Sequence, residues 1–141
     1  METEIVNIGD SLKEYLKRTA YRDQVALDRL PLLKVNEPLF CTAIDNMIRN
    51  GLKYNDSDFK LVAITMVDDE HLAIIDNGRG MTQKQFNEYS KPYFRQDGQK
   101  ESGTGLGLNI SIAILKEHGF SVTCEHDPNN NEGTTIKVKV K

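Results

Sequence analysis

The sequence predicts a two-layer α/β sandwich in a single domain, on three observations. Segments with apolar residues at helical spacing alternate loosely with pairs of segments that alternate apolar and polar residues. The 141 residues are close to the roughly 150 of one domain, with no linker or internal repeat to divide them. Hydrophobic residues make up 38% beside ten glycines, which is ordinary globular composition and excludes disordered and collagen-like chains.

The elements follow in order. Ser11 and Glu14 form a capping box, and Leu12, Tyr15, Leu16 and Thr19 recur at helical spacing, predicting a short helix over 11–19. Val25 and Leu27 alternate with polar neighbours, Pro31 breaks the run, and 32–35 is a second extended piece, so two edge strands are expected. Asn36 caps a longer helix with Pro38 in its first turn, running to about Tyr54. Residues 60–67 and 70–75 read as antiparallel strands joined at Asp68-Asp69. Thr82 and Gln85 cap a short helix carrying Phe86 and Tyr89, and 91–102, polar and without apolar period, reads as a mobile loop. A third helix opens at the glycine string 103–107, with Ile110, Ala113, Ile114 and Leu115 expected inward and Gly119 just past its end. Residues 120–125 and 134–140 close the chain as a hairpin, with Ile136, Val138 and Val140 facing the core.

Charge and composition narrow the function. Eighteen basic against 21 acidic residues give −3, so no basic surplus exists to neutralise a run of phosphates, which argues against nucleic acid as a partner. The longest apolar runs, 61–64 and 72–75, fall far short of the roughly 20 residues that cross a bilayer, so no membrane contact is expected of this segment. The start, Met1-Glu-Thr-Glu, lacks the features of a secretory signal, and a cytoplasmic setting is expected. Two cysteines cannot build a disulfide framework, and Cys124 with His126 on one strand is too few ligands for zinc.

The long helix carries the first chemical clue. At 100° per residue, Phe40, Ala43, Ile44, Met47, Ile48 and Gly51 fall in an arc of about 140°, the expected core face. Asn46, Asn50 and Lys53 lie together beside it, so two amides and an ammonium line a border where a cleft can open. Asparagine oxygens are hard ligands suited to Mg²⁺, which takes few protein ligands plus phosphates and water; taken alone, the pair also fits two solvated helix amides. Asp76, at a strand end before two glycines, is positioned to accept from an adenine amino group, or simply to start a turn. Gly103-Thr-Gly-Leu-Gly-Leu108 leads into a helix, so unobstructed backbone N–H groups can hold phosphate oxygens. The string is neither the Rossmann pattern, since Leu108 stands where the third glycine belongs, nor a Walker A loop.

The order and spacing of these features resemble the ATP-binding catalytic domain of bacterial sensor histidine kinases, in the GHKL superfamily, over nearly the whole chain. The N box is matched by Asp45-Asn-Met-Ile-Arg-Asn-Gly-Leu-Lys-Tyr54, the first glycine box by Asp76-Asn-Gly-Arg-Gly-Met81, and the F box by Pro92-Tyr-Phe-Arg95. The second glycine box is matched by 103–108 and the late Gly-Thr pair by Gly133-Thr134. The resemblance implies a Bergerat-type fold, a mixed five-stranded sheet backed by three helices, with a mobile ATP lid. It implies ATP and Mg²⁺ as cofactors, Asn50 as the magnesium ligand, and Asn46 and Lys53 at the phosphates. Tyr54 would pack at the nucleotide, Asp76 would read the amine, and Gly78, Gly80 and Met81 would accommodate the ring. Gly103, Thr104, Gly105, Leu106, Gly107 and Leu108 would hold the lid against the phosphates, and Thr134 would border the adenine. Arg95, if not merely a solvated loop arginine, would stabilise charge on the transferred group, so that Asn46, Lys53 and Arg95 form the catalytic set.

Two positions depart from the family pattern: Gly51 stands where alanine is usual, and Phe120 replaces a second glycine after His118-Gly119. No histidine precedes residue 71, so the dimerisation helices with their phospho-acceptor are expected on another domain or chain, with a response regulator downstream and a parent kinase that can be membrane-anchored. The alternatives are an ATP-binding adaptor without phosphotransfer, or a GHKL ATPase or anti-sigma serine kinase. Asn46 argues against that second pair, which commonly carry glutamate there.

Overall fold

The computed structural model describes residues 1–91, 107–126 and 133–141. Glu4–Asn7 (β1) runs directly into Ile8–Leu16 (α1), and a 3-10 turn at Arg22–Gln24 leads to Val25–Asp28 (β2), Leu32–Val35 (β3) and Glu37–Lys53 (α2). Val62–Met66 (β4), His71–Asp76 (β5) and Gln83–Tyr89 (α3) follow, then Gly107–Glu117 (α4), Ser121–Glu125 (β6) and Thr135–Lys139 (β7).

The sheet is mixed and five-stranded, in the order β2-β4-β5-β7-β6, with β2 parallel to β4 and every other neighbour antiparallel. β1 and β3 form a separate antiparallel ribbon. The register sets Ile64 opposite Ile74, Ile74 opposite Ile136, and Ile136 opposite Cys124, so one buried row crosses four strands. Against this face lies α2, flanked by α1 and α4. Side chains on β5 alternate between faces, so Asp76 ends on the face that carries Leu72 and Ile74, the face turned to α2. That parity brings a carboxylate to the edge of an apolar core.

Every residue of the expected α2 core face is buried: Phe40, Ala43, Ile44, Met47, Ile48 and Gly51. Each of the large side chains contributes about 1.5–3 kcal/mol by leaving water. Asn36 caps the helix, its side chain accepting from Leu39 N at 3.1 Å. The Thr82–Gln85 capping box at α3 also forms, with both reciprocal hydrogen bonds present.

Two expectations needed correction. The first helix starts at Ile8, not 11, because Asn7 is its cap, accepting from Asp10 N at 3.1 Å; the Ser11 hydroxyl instead donates to Glu37 at 2.8 Å. The inward face of α4 is Leu108, Ser111 and Leu115, whereas Ile110 and Ala113 are exposed. Ser111 can be buried because its hydroxyl donates to the Ala43 carbonyl at 2.9 Å, tying α4 to α2. β1 was not foreseen. The Phe120 departure has a packing role: its ring stacks on His118 at 5.5 Å. His118 in turn donates from Nδ1 to the Ile114 carbonyl and accepts at Nε2 from Asn36 N, joining the end of α4 to the start of α2.

Gly133, at φ 42°, leads into β7 with its α-carbon pressed on the end of β5; a methyl there would lie 1.6 Å from the Asp76 carbonyl oxygen. Gly133→Ala is therefore expected to destabilise the fold by about 2 kcal/mol or more, read as a lowered midpoint in urea denaturation.

Candidate functional site

The site forms where the C-terminal turns of α2 meet the end of β5. Asn46, Asn50 and Lys53 are half-buried along the border of the α2 core face, as their helical phase requires. Tyr54 closes the helix, its N–H donating to the Asn50 carbonyl at 3.1 Å, and the Lys53 ammonium lies 5.4 Å from the centre of the Tyr54 ring.

The first glycine box is strapped to this helix end by polar groups that sequence reasoning missed. Buried Asn55 donates to the Gly51 carbonyl and to Asn77 Oδ1, at 3.2 and 2.8 Å, and accepts from Ser57 N. Asn77 in turn accepts from Leu61 N at 3.0 Å and donates to the Phe59 carbonyl at 2.8 Å. Arg79 N donates to the Tyr54 carbonyl at 3.1 Å, and its guanidinium grips Asp56 through two nitrogens. The only signal for this lock was asparagine content, which a turn explains equally well.

Asp76 is the chemical centre. Its Oδ1 accepts from Gly78 N at 2.8 Å and from Thr134 N at 3.2 Å, while its backbone N–H donates to the Thr134 carbonyl at 2.9 Å. Among the described residues no hydrogen-bond donor reaches Oδ2, which faces α2. Burial raises the carboxyl above its ordinary value, opposed by the two backbone N–H groups and by nearby His126. The Gly51 departure finds its reason here: a methyl on Gly51 would lie 2.9 Å from Asp76 Cβ and 3.0 Å from Oδ2. Glycine lets the helix come down on the strand without displacing the acid.

Asn50, Tyr54, Asp76, Gly80, Met81 and Thr134 converge on one cavity, joined by Met47, Gly51 and Ile136, which sequence reasoning assigned to the core or passed over. Gly78 abuts it through its hydrogen bond to Asp76. The cavity measures about 20 Å³, room for one water, so anything larger enters only as lining side chains shift. Met81, with its flexible thioether chain, is the most adaptable of them. Asn46 and Lys53 stand outside this cavity, along the helix. Leu108 packs into the core, and Gly107 opens α4 with, among the described residues, space where a side chain would be. The F box with Arg95, together with Gly103, Thr104, Gly105, Leu106 and the expected mobile loop after Lys91, lies outside the described residues.

For magnesium the donor set is suitable. No group of three His, Cys, Asp or Glu side chains that could hold a metal occurs among the described residues. A single amide oxygen from Asn50 matches an ion that draws its other ligands from phosphates and water. The Cys124 thiol donates to the Met81 carbonyl, and burial pushes it up to about 12. No described helix is long and apolar enough to cross a membrane.

The chain is similar to known proteins in sequence and in fold. Sensor protein EvgS of Escherichia coli O157:H7 is 26% identical over 117 residues, covering 78% of this chain and 10% of its own length. Sporulation kinase C of Bacillus subtilis is 33% identical over 95 residues, covering 66% of this chain and 21% of its own. Sensor histidine kinase YkoH of the same organism is 26% identical, with 77% and 24% covered. The chain thus spans well under a third of the length of these relatives. The fold matches the mycobacterial sensor histidine kinase MprB with a TM-score of 0.78 at 21% identity, covering 98% of this chain and 96% of that one. The catalytic domain of histidine kinase ThkA matches with a TM-score of 0.75 at 18% identity, covering 99% and 95%. The family model described as histidine kinase-, DNA gyrase B-, and HSP90-like ATPase matches residues 35–141, and the chain belongs to that family.

Proposed function

We propose that this chain binds ATP with Mg²⁺ and donates the γ-phosphoryl group to a histidine on a separate dimerisation domain, in cis or in trans, upstream of a response regulator. The observation that carries the reading is Asp76: a mostly buried carboxylate with one oxygen saturated by backbone N–H groups and the other left, among the described residues, without a protein donor at a cavity. An acceptor in that state suits an adenine amino group, a donor of matching size and polarity.

The rest of the reading assigns roles by chemistry. Tyr54, Met81 and Thr134 line the base, Gly78 and Gly80 leave room for it, and Asn46 and Lys53 extend along the helix toward the phosphates. Magnesium, when bound through Asn50, would neutralise charge on the phosphates. The acceptor imidazole would attack the γ-phosphorus, forming a P–N bond as the bond to the β-phosphate oxygen breaks and ADP leaves. Positioning and charge neutralisation supply most of the catalysis in such a transfer. Among the described residues Asp76 is the only carboxylate lining the cavity, and it is committed to the base, so hydrolysis without an acceptor is expected to be slow. Arg95 would supply charge stabilisation, and residues 103–108 would hold the ATP lid against the phosphates with backbone donors.

The test is transfer of label from γ-labelled ATP to an added histidine-bearing dimerisation domain. Labelled histidine is the expected result, whereas tight ATP binding with no transfer would make the chain a nucleotide-binding adaptor. Asp76→Asn should weaken ATP binding by about 1.5–3 kcal/mol, ten- to a hundredfold by calorimetry. Its effect on stability should have the opposite sign. A carboxyl raised in the folded state holds a proton that the unfolded chain has lost, so stability falls as pH climbs from the ordinary value through the raised one, and the ionised side chain is a cost at neutral pH. The asparagine oxygen still accepts from Gly78 and Thr134, and the variant should melt no lower than wild type at pH 7. Asn50→Ala should remove the magnesium dependence of ATP binding while leaving the circular dichroism spectrum unchanged; persistent dependence would mean that another ligand holds the ion.

A further inference from the structure

Asp45 is the residue of α2 that amphipathicity does not explain. It is only 4% exposed on a helix whose other buried residues are apolar or glycine. Its carboxylate accepts from the phenols of Tyr15, at 3.0 Å, and Tyr21. Burial first, then the carboxylate itself, pushes both phenols above their ordinary range, so they remain donors at physiological pH. One helical turn on, Arg49 Nε meets Asp45 Oδ2 at 3.1 Å. The same guanidinium uses Nη2 to donate to Oδ1 of Asn46. Around the helix Arg49 lies about 40° from Asp45 and about 60° from Asn46, so one side chain reaches both.

A guanidinium carries donors and no acceptor, so the amide atom that faces it must be the carbonyl oxygen. The orientation of the Asn46 amide is therefore dictated by Arg49: its oxygen is engaged and its NH2 group is turned to the other side. An amide held this way offers donors, which suit an anion, and withholds the oxygen that a metal would need. Asn50 differs in that its side chain lines the cavity.

We propose that Asp45 and Arg49 are positioning residues for Asn46, a buried carboxylate anchoring a guanidinium that fixes the amide as a donor to the nucleotide phosphates and leaves magnesium to Asn50. The role of the phosphates rests on the nucleotide reading above; the fixing of the amide does not. It makes two asparagines of one motif unequal, the first a donor and the second a metal ligand.

The test uses the full chain with 15N-labelled asparagine. In the ligand-free wild type the Asn46 side-chain NH2 pair should be ordered and resolved. Arg49→Met and Asp45→Asn should each bring its heteronuclear NOE toward that of a free surface amide while the backbone spectrum stays folded, and Arg49→Lys should recover part of the order. By calorimetry, Arg49→Met should weaken ATP binding about fivefold or more, but less than about twofold when Asn46 is already alanine, with adenosine affinity unchanged. An Asn46 side chain as ordered in both variants as in wild type, or equal losses of ATP affinity in both backgrounds, would overturn the proposal. A wild type that binds neither ATP nor adenosine would instead end the nucleotide reading, and the ligand-free spectrum would still decide whether Arg49 holds the amide.

Discussion

The seat of the Asp76 carboxylate is the constraint from which the rest of the site follows. An acid at the end of a core-facing row has few ways to survive burial: it can be satisfied by the backbone, shielded by water, or neutralised. Here the backbone does half of the work, with the N–H groups of Gly78 and Thr134 on one oxygen. That solution commits three separate stretches of chain at once. The glycine box must curl back on the acid, Thr134 must sit beside it just before the adjoining strand, and α2 must present a residue with no side chain at Gly51. The other carboxylate oxygen is left over by this geometry, and the leftover acceptor gives the cavity its chemistry.

Satisfying a buried acid only in part carries an energetic consequence. Burial acts on Asp76 more strongly than its hydrogen bonds do, so the site is a place where the fold gives up stability. The nearby Asn55 and Asn77 pair, with its chain of contacts to Gly51, Ser57, Phe59 and Leu61, offsets this by saturating the polar groups of the loop beneath. A rigid polar lock beside an incompletely satisfied carboxylate keeps the cavity in shape without filling it.

Much of this could be read before any coordinates. The core face of α2 and its Asn36 cap followed from helical phase, and the closing hairpin from strict alternation through Ile136, Val138 and Val140. The convergence of Asn50, Tyr54, Asp76, Gly80, Met81 and Thr134 rested on the order of short motifs. What escaped was whatever depends on a partner distant in sequence. Ser111 looks like a surface residue until the Ala43 carbonyl is known to lie opposite it, and its burial rotates α4 away from the face that Ile110 and Ala113 suggest. Asn7 outcompetes Ser11 as a cap because β1, stitched to β3, delivers the chain to the helix already extended. Asp45 read as one more polar residue of a motif, because nothing local announces the two phenols that converge on it.

The flanks of the sheet have a bearing on how copies of this chain behave at high concentration. β2 and β6 each pair on one side only among the described residues, so both offer a rim of unmatched main-chain groups to any passing strand. Those rims are short, four and five residues, and each ends in an acid, Asp28 on one and Glu125 on the other. A second copy laid along either edge in antiparallel register with itself brings in the same acid at the opposite end, with little ladder length gained. Among the described residues it is the brevity of these open margins that limits fibrillar stacking, since each acid is already paired with a neighbouring cation, Asp28 with Arg29 and Glu125 with Lys137.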